Sequence, residues 1–264
     1  MRHAFLAAAG LIVVGCATPY AKVDGLLVDG IPVDSIRVPL IPAAEPPRVT
    51  VIHGGEPRPA ATRQSVVRGD RVVTTGRASA VLTIKPGYEV IVEPGTDLRV
   101  EDPSMFVQIG RLVLKRLRRT KQKLQVGTEF VSAGVEGTHF VFEVGPDERV
   151  HIAMVDGVVT VNPRQASWPP VTYRAGDEGF IRRGSAPEPV RPLDFRAAQL
   201  ILDHTAAVER AVQYQAGQPW SRFQPFWKKP SFYVPAAAAT AAAVIIAVVS
   251  KKSEPVRRTP KTVP

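Results

Sequence analysis

Cys16 is the only thiol in this chain of 264 residues, and it follows the apolar run Ala4 to Val14 and the small Gly15. Behind the short positive start Met1-Arg2-His3, that spacing is the arrangement of a secretory leader cut before a cysteine whose sulfur is then acylated. Two other readings of the same residues stay open: an ordinary leader with an incidental cysteine, and an uncleaved anchor. If Cys16 is acylated, the mature chain has no thiol left for a disulfide or for a Cys/His nucleophile.

The second chemically loaded stretch is basic. Arg111, Lys115, Arg116, Arg118, Arg119, Lys121 and Lys123 are seven cations with no acid between Gly110 and Leu124. Leu112, Leu114, Leu117 and Leu124 interleave with them, which predicts a β-hairpin with a charged outer face and turn. A solvated edge is one reading, because cations on exposed strands discourage edge-to-edge aggregation. A contact for phospholipid headgroups or acidic cell-wall polymer is the other, and the formal net charge of +10, or +9 once Arg2 leaves with the leader, suits an anionic neighbour. Nucleic acid is not expected, since the chain reads as exported and lacks stacking aromatics among these cations.

Reaction chemistry finds little support. The five histidines, at 3, 53, 139, 151 and 204, are scattered, without a cysteine partner, an HExxH or a calcium loop, so neither metal nor cofactor is expected. His139 and His151 could meet across neighbouring strands, although a half-buried strand histidine accounts for each. There is no GxSxG elbow, SxxK, P-loop or GxGxxG. Glu101-Asp102 and Asp147-Glu148 are carboxylate pairs in turn contexts, and a glycosidase would need its pair facing across a cleft. The expectation is a protein that is not an enzyme.

The elements that carry these residues follow from period-two patterning. Val72, Ala80, Leu82, Ile84, Val90 and Val92 alternate with polar residues, and Gly69-Asp70, Gly76, Pro86-Gly87, Pro94-Gly95 and Asp102-Pro103 punctuate the runs. Turn signals every 8–12 residues or so predict a mainly β, antiparallel two-layer sandwich or roll. Arg68-Gly69-Asp70 spells an integrin-binding tripeptide, but its place in the first turn accounts for it. With 45% hydrophobic residues, one core is attainable without a staple.

Several of these segments, taken in order, resemble the FecR domain of bacterial envelope proteins: Gly69-Asp70, Thr75-Gly76, Ser79 to Leu82, Pro86 to Val90 and Pro94 to Leu98. Val135-Glu136-Gly137-Thr138-His139-Phe140 is similar to that family's GTxF segment, with Glu136 where Arg is frequent, and Val155-Asp156-Gly157-Val158-Val159-Thr160-Val161 resembles its DGxVxV strand. The resemblance covers residues 49–184. It implies a β-rich periplasmic module for signal relay and protein–protein contact. The best-known members carry an upstream cytoplasmic anti-sigma segment, and the expectation here is a chain without one. Gly69, Asp70, Gly87, Gly137, Thr138, Asp156 and Gly157 are read as structural turn positions.

The organisation expected along the chain is a signal peptide (1–15), an N-terminal hairpin and Pro-rich linker (16–48), the FecR-like β domain (49–186), an amphipathic helix (192–216), an aromatic and basic membrane-proximal segment (217–231), a transmembrane helix (232–250) and a basic tail (251–264). Pro57 and Pro59 are placed in a loop. In the helix, Leu193, Ala197, Leu200, Ile201, Val208, Ala211 and Val212 share one face, which predicts packing on the β body, with partner docking as the alternative. The run 232–250 has 19 residues, close to the roughly 20 that span a bilayer, and Lys251, Lys252, Arg257, Arg258 and Lys261 follow it on the expected cytoplasmic side. Its alanine-rich start leaves a peripheral helix open.

Together these features predict a non-enzymatic scaffold of the bacterial cell envelope, facing the periplasm and membrane-tied at one or both ends. The inner membrane is favoured, with the outer membrane open if the C-terminal helix does not span. Its partner is an envelope protein or an anionic envelope component. A transmembrane signal relay is the alternative, and a wall-active enzyme stands behind both.

Overall fold

A computed structural model describes residues 19–33, 48–85, 87–101, 103–117 and 124–215. The leader with Cys16, the Pro-rich linker, Arg118, Arg119, Lys121 and Lys123, and the membrane-proximal, transmembrane and tail segments lie outside the described residues. The protein is mainly β. Its strands are β1 (Ala21–Val28), β2 (Ile31–Pro32), β3 (Arg48–His53), β4 (Glu56–Pro59), β5 (Ser65–Val66), β6 (Arg71–Thr75), β7 (Ala78–Ile84), β8 (Tyr88–Val92), β9 (Asp97–Glu101) and β10 (Ser104–Arg116). They continue with β11 (Leu124–Gly127), β12 (Val131–Val144), β13 (Arg149–Pro163), β14 (Val171–Arg174), β15 (Asp177–Arg182) and β16 (Arg191–Pro192), and one helix, α1 (Phe195–Gln215), closes the described chain.

Three long strands, β10, β12 and β13, organise the rest, because each changes phase part-way along. In β12, Val131, Ala133 and Val135 are buried and then Phe140, Phe142 and Val144, so the inward-facing set shifts from odd to even positions. β13 does the same between Met154 and Val159, and β10 between Val107 and Leu112. The register breaks at 136–140 of β12 and at 107–109 of β10 mark the shifts, with Gly137, Gly157 and Gly110 at φ +66°, +86° and +104°. Bulges let one strand serve two layers: a regular strand would turn half of its apolar residues outward after the bend.

One half-sheet runs β1–β7–β8–β10–β12–β13–β15–β16 through the second half of β10 and of β12 and the first half of β13. The other runs β4–β3–β6–β9–β10–β11–β12–β13–β14 through their opposite halves. Residues of both meet in a single hydrophobic cluster that includes Leu82, Val90, Leu98, Leu112, Val126, Phe140, Phe142, Ile152 and Tyr173.

Four local expectations come out differently. The basic segment is not a hairpin: β11 lies parallel to the start of β10, pairing Ser104 with Gln125 and Phe106 with Gly127, and β12 accepts β10 and β11 along one edge. The hairpin near the N-terminus forms around Asp29-Gly30, and β1 is built into the β body by pairing with β7 from Ala21↔Ile84 to Val28↔Ala78. Pro57 and Pro59 lie in β4 and not in a loop, which works because β4 pairs only with β3 and lies at an edge. Gly137, Thr138, Asp156 and Gly157 lie inside β12 and β13 at the paired bulges and not in turns.

Asp194 is the N-cap that precedes helix α1: its Oδ1 accepts the Ala197 N–H at 3.1 Å. Among the described residues no helix is long and apolar enough to cross a membrane. Ile201 and Val208, with Leu193, Ala211 and Val212 around them, pack on Leu27, Val81, Ile91, Val113, Val141 and Ala153.

Candidate functional site

The face of the sheet beneath α1 is built in rungs. Val81, Ile91, Val113, Val141 and Ala153 are successive cross-strand partners across five strands, so one apolar row crosses the sheet under the helix. Two residues along each strand the same face turns polar. On one side lie Thr83, Glu89, Lys115 and His139, again direct partners. On the other lie Arg111, Glu143, His151 and Phe180, with Glu93 beside Arg111.

The helix grips both polar rows. Glu209 ion-pairs with Lys115, His204 Nε2 lies 2.5 Å from Glu93 Oε1, and His139 Nε2 lies 3.1 Å from Thr205 Oγ1. Thr205 donates its hydroxyl proton to the Ile201 carbonyl at 2.8 Å, so His139 must donate through a protonated Nε2. The ring is neutral, because burial and then the Lys115 charge lower its pKa from 6.5 to about 4. The Glu93 hydrogen bond raises the His204 pKa.

Glu89 is the anomaly of this face. Its Oε1 is buried without a hydrogen-bond partner among the described residues. Burial first, then the neighbouring Glu209 and Asp24 carboxylates, raise its pKa to about 7 against the pull of Lys115. Such a carboxyl in an open cleft would be a candidate acid or base; here it lies in the row that α1 covers. Glu209→Gln removes Lys115's ion-pair partner and is expected to lower the stability of the full chain by about 1–2 kcal/mol. It should also bring the Glu89 pKa toward the ordinary carboxylate range, which a carboxyl-carbon NMR titration would read; an unmoved pKa would break the coupling claimed between these residues.

Beside the helix N-terminal half the face stays open. A cleft of about 430 Å³ has Val113, Val141 and Ala153 as its floor, and Leu193, Ala197, Leu200 and Ile201 as an apolar wall. Glu93, Arg111, Glu143, His151, Glu178 and His204 line the remainder. His151 stacks on Phe180 with ring centroids 4.5 Å apart, its Nδ1 is 3.9 Å from Glu143 and its Nε2 3.6 Å from Glu178. His151 beside it holds the Glu143 carboxyl below its usual range. Among the described residues no group of three or more His, Cys, Asp and Glu is placed to hold a metal ion.

The seven cations expected to act together do not share one surface where they are described. Arg111 lines the cleft, Lys115 is engaged by Glu209, and the Arg116 guanidinium lies over Gly137, 2.4 Å from where a Cβ would be. Lys115 is therefore not a free contact for an anion. His139 and His151 do not meet, because their cross-strand partners, Lys115 with Asp156 and Glu143 with Phe180, belong to different rungs. Gly69 and Gly87 take φ +91° and +132°. Asp70 is buried and turns inward: its Oδ1 is 2.6 Å from His53 Nδ1, and its Oδ2 accepts the Val67 N–H at 2.9 Å. A surface-recognition tripeptide would need that carboxylate outside.

Glu89, Glu93, Glu143, Glu178 and His204 carried no motif signal. The alternation of each strand marks which residues share a face, but not which strands lie side by side.

No family model and no curated protein matches the chain. Two solved structures, both of candidate anti-sigma factors from Parabacteroides distasonis ATCC 8503, are similar to it at low identity. The structure at 1.65 Å resolution is 15% identical with a TM-score of 0.40, over 53% of this chain and 71% of that one. The structure at 2.50 Å is 16% identical with a TM-score of 0.39, over 47% of this chain and 59% of that one, so the chain spans less than two thirds of that protein's length.

Proposed function

We propose that the chain is a non-enzymatic binding module of a bacterial cell envelope, which holds a partner in the cleft beside α1. The observation that carries this reading is the use of the titratable groups under the helix. Lys115 is paired with Glu209, His204 with Glu93, and His139 with Thr205, an arrangement that uses these groups to fix the surface beneath the helix. The cleft combines an apolar floor and wall with a few charged groups, the usual make-up of a binding site.

A photocrosslinking residue at Leu200, which lines the cleft, is expected to give one discrete adduct in cells, while the same residue at Arg58 in β4, away from the cleft, gives none. Absence of any adduct at position 200 would remove the cleft reading. Turnover of purified wall polymer, abolished by a single carboxylate substitution, would replace it with an enzyme.

Envelope attachment in this proposal rests on Cys16 and on residues 232–250. A diacylglyceryl mass on the membrane-bound protein, lost in Cys16→Ala, is the expected result; release of a chain ending at Phe232 without a lipid mass would make the C-terminal run the anchor. In that case the FecR-type signal relay, which rests on the GTHF and DGVVTV segments, moves to first place. Deleting 251–264 should then change transcription of the regulated genes.

A further inference from the structure

We infer that the cleft beside α1 is a receptor for the cationic side chain of a basic peptide, a lysine or arginine whose aliphatic stem lies on the helix wall and whose charged head sits between Glu143 and Glu178. The inference rests on the reading of the chain as a binding module and names the chemistry of what it binds.

Charge complementarity chooses the occupant. Three carboxylates, Glu93, Glu143 and Glu178, face one fixed cation, Arg111. Glu93 is already taken by His204 at 2.5 Å, whereas His151 approaches Glu143 and Glu178 only to 3.9 and 3.6 Å, beyond hydrogen-bond length. These two carboxylates keep acceptor capacity on the open side of the cleft, and they flank one histidine on neighbouring strands, since Glu143 pairs across to His151 and Ala153 to Glu178. An anion would meet carboxylates it cannot neutralise. A wholly apolar ligand would strip water from them without replacing it. A side chain with a long apolar stem and a terminal cation satisfies both parts, because Leu200, 62% exposed, and Ala197 offer the stem a wall. The volume of about 430 Å³ lies within the ordinary range for ligand sites.

Calorimetric titration of the full chain with acetyl-Gly-Lys-Gly-amide, its arginine counterpart, its norleucine counterpart and its glutamate counterpart tests this. Both cationic peptides should bind, and norleucine should bind about tenfold more weakly or not at all, because it keeps the stem and loses the charge. Glu143→Gln and Glu178→Gln should each weaken lysine-peptide binding about tenfold while leaving the melting temperature near that of the parent chain. Should either variant fold poorly, the salt dependence of the parent complex reads the same pairing, with affinity expected to fall as ionic strength rises.

Equal binding of norleucine, tighter binding of the glutamate peptide, salt-independent affinity, or no binding of any peptide at millimolar concentration overturns the assignment. If an adduct at Leu200 persists when the peptides fail, the binding module stands and only its cationic ligand falls. If that adduct is absent as well, both fall together.

Discussion

Gly157→Val is expected to lower the stability of the β body by about 4 kcal/mol, enough to leave much of a marginally stable domain unfolded. Two costs add at this position. Gly157 sits at φ +86°, where a β-branched residue is strained. A Cβ there would also lie 2.6 Å from the Gly137 carbonyl oxygen and 2.8 Å from both Cα and Cγ2 of Thr138, so the neighbouring strand has to move. That neighbour is the bulge of β12, whose own Gly137 has the Arg116 guanidinium over it. A shift at 157 therefore disturbs the point where both long strands change phase. Gly176 separates the two costs: it has the same φ of +86°, and a Cβ there would meet nothing within 4 Å. Gly176→Ala should cost about 1–2 kcal/mol from strain alone, and Gly157→Ala distinctly more. Urea denaturation of the alanine pair decides; equal midpoints would show that the close approach of the bulges carries no energy.

The second large effect is a cancellation that single substitutions should expose. The Glu89 pKa is raised from 4.5 to about 7 in the folded protein, so between those values the folded state binds more protons and stability falls as pH rises. The His139 pKa is lowered from 6.5 to about 4, so in that window the unfolded state binds more protons and stability rises with pH. Each effect amounts to about 3 kcal/mol across its window. The windows overlap, so the two slopes largely offset one another in the parent chain.

Glu89→Gln mimics the protonated acid and should show stability climbing by about 3 kcal/mol from pH 4 to 6.5, with a variant more stable than the parent at pH 8. His139→Gln should instead show stability falling by a similar amount from pH 4.5 to 7.5. His204 is common to both variants, and because its pKa is raised, its stabilisation fades as pH rises in each. The difference between the two curves isolates Glu89 and His139. Parallel curves would mean that burial under α1 does not control these groups.

The strands were legible because burial on one side of a strand writes itself into the chain as alternation. Val72, Leu82, Ile84, Val90 and Val92 were marked as inward by their spacing, and all are buried. The helix after Pro192 was legible for the same reason at its own period: Leu193, Ile201, Val208, Ala211 and Val212 face the sheet, whereas Leu200, expected on that face, is 62% exposed beside the cleft. The bulges were legible only as glycines. A glycine at φ +66° or +86° looks the same in sequence whether it ends a strand or bends one, and only the partner strand, with its two residues opposite one, makes the difference.

The basic segment failed as a hairpin because alternation says nothing about pairing. Leu112, Leu114 and Leu124 are buried as the pattern demands while Leu117 is exposed, and β10 and β11 take up places along the same edge of β12. The candidate site was the least legible part, since it joins Glu93 to His204, 111 residues away, and sets Glu143, His151 and Glu178 on three adjacent strands.

Composition and period therefore determined, from the sequence by itself, that the described chain makes a β body followed by an amphipathic helix, and which residues face inward wherever a strand or helix keeps a single phase. Those are local properties, set by the side-chain repeat of a single strand or helix turn. Strand order, the layer change at Gly110, Gly137 and Gly157, and the cleft beside α1 were decided by the tertiary structure alone, because each depends on cross-strand partners that residues distant in sequence supply only when the whole sheet has closed around its core.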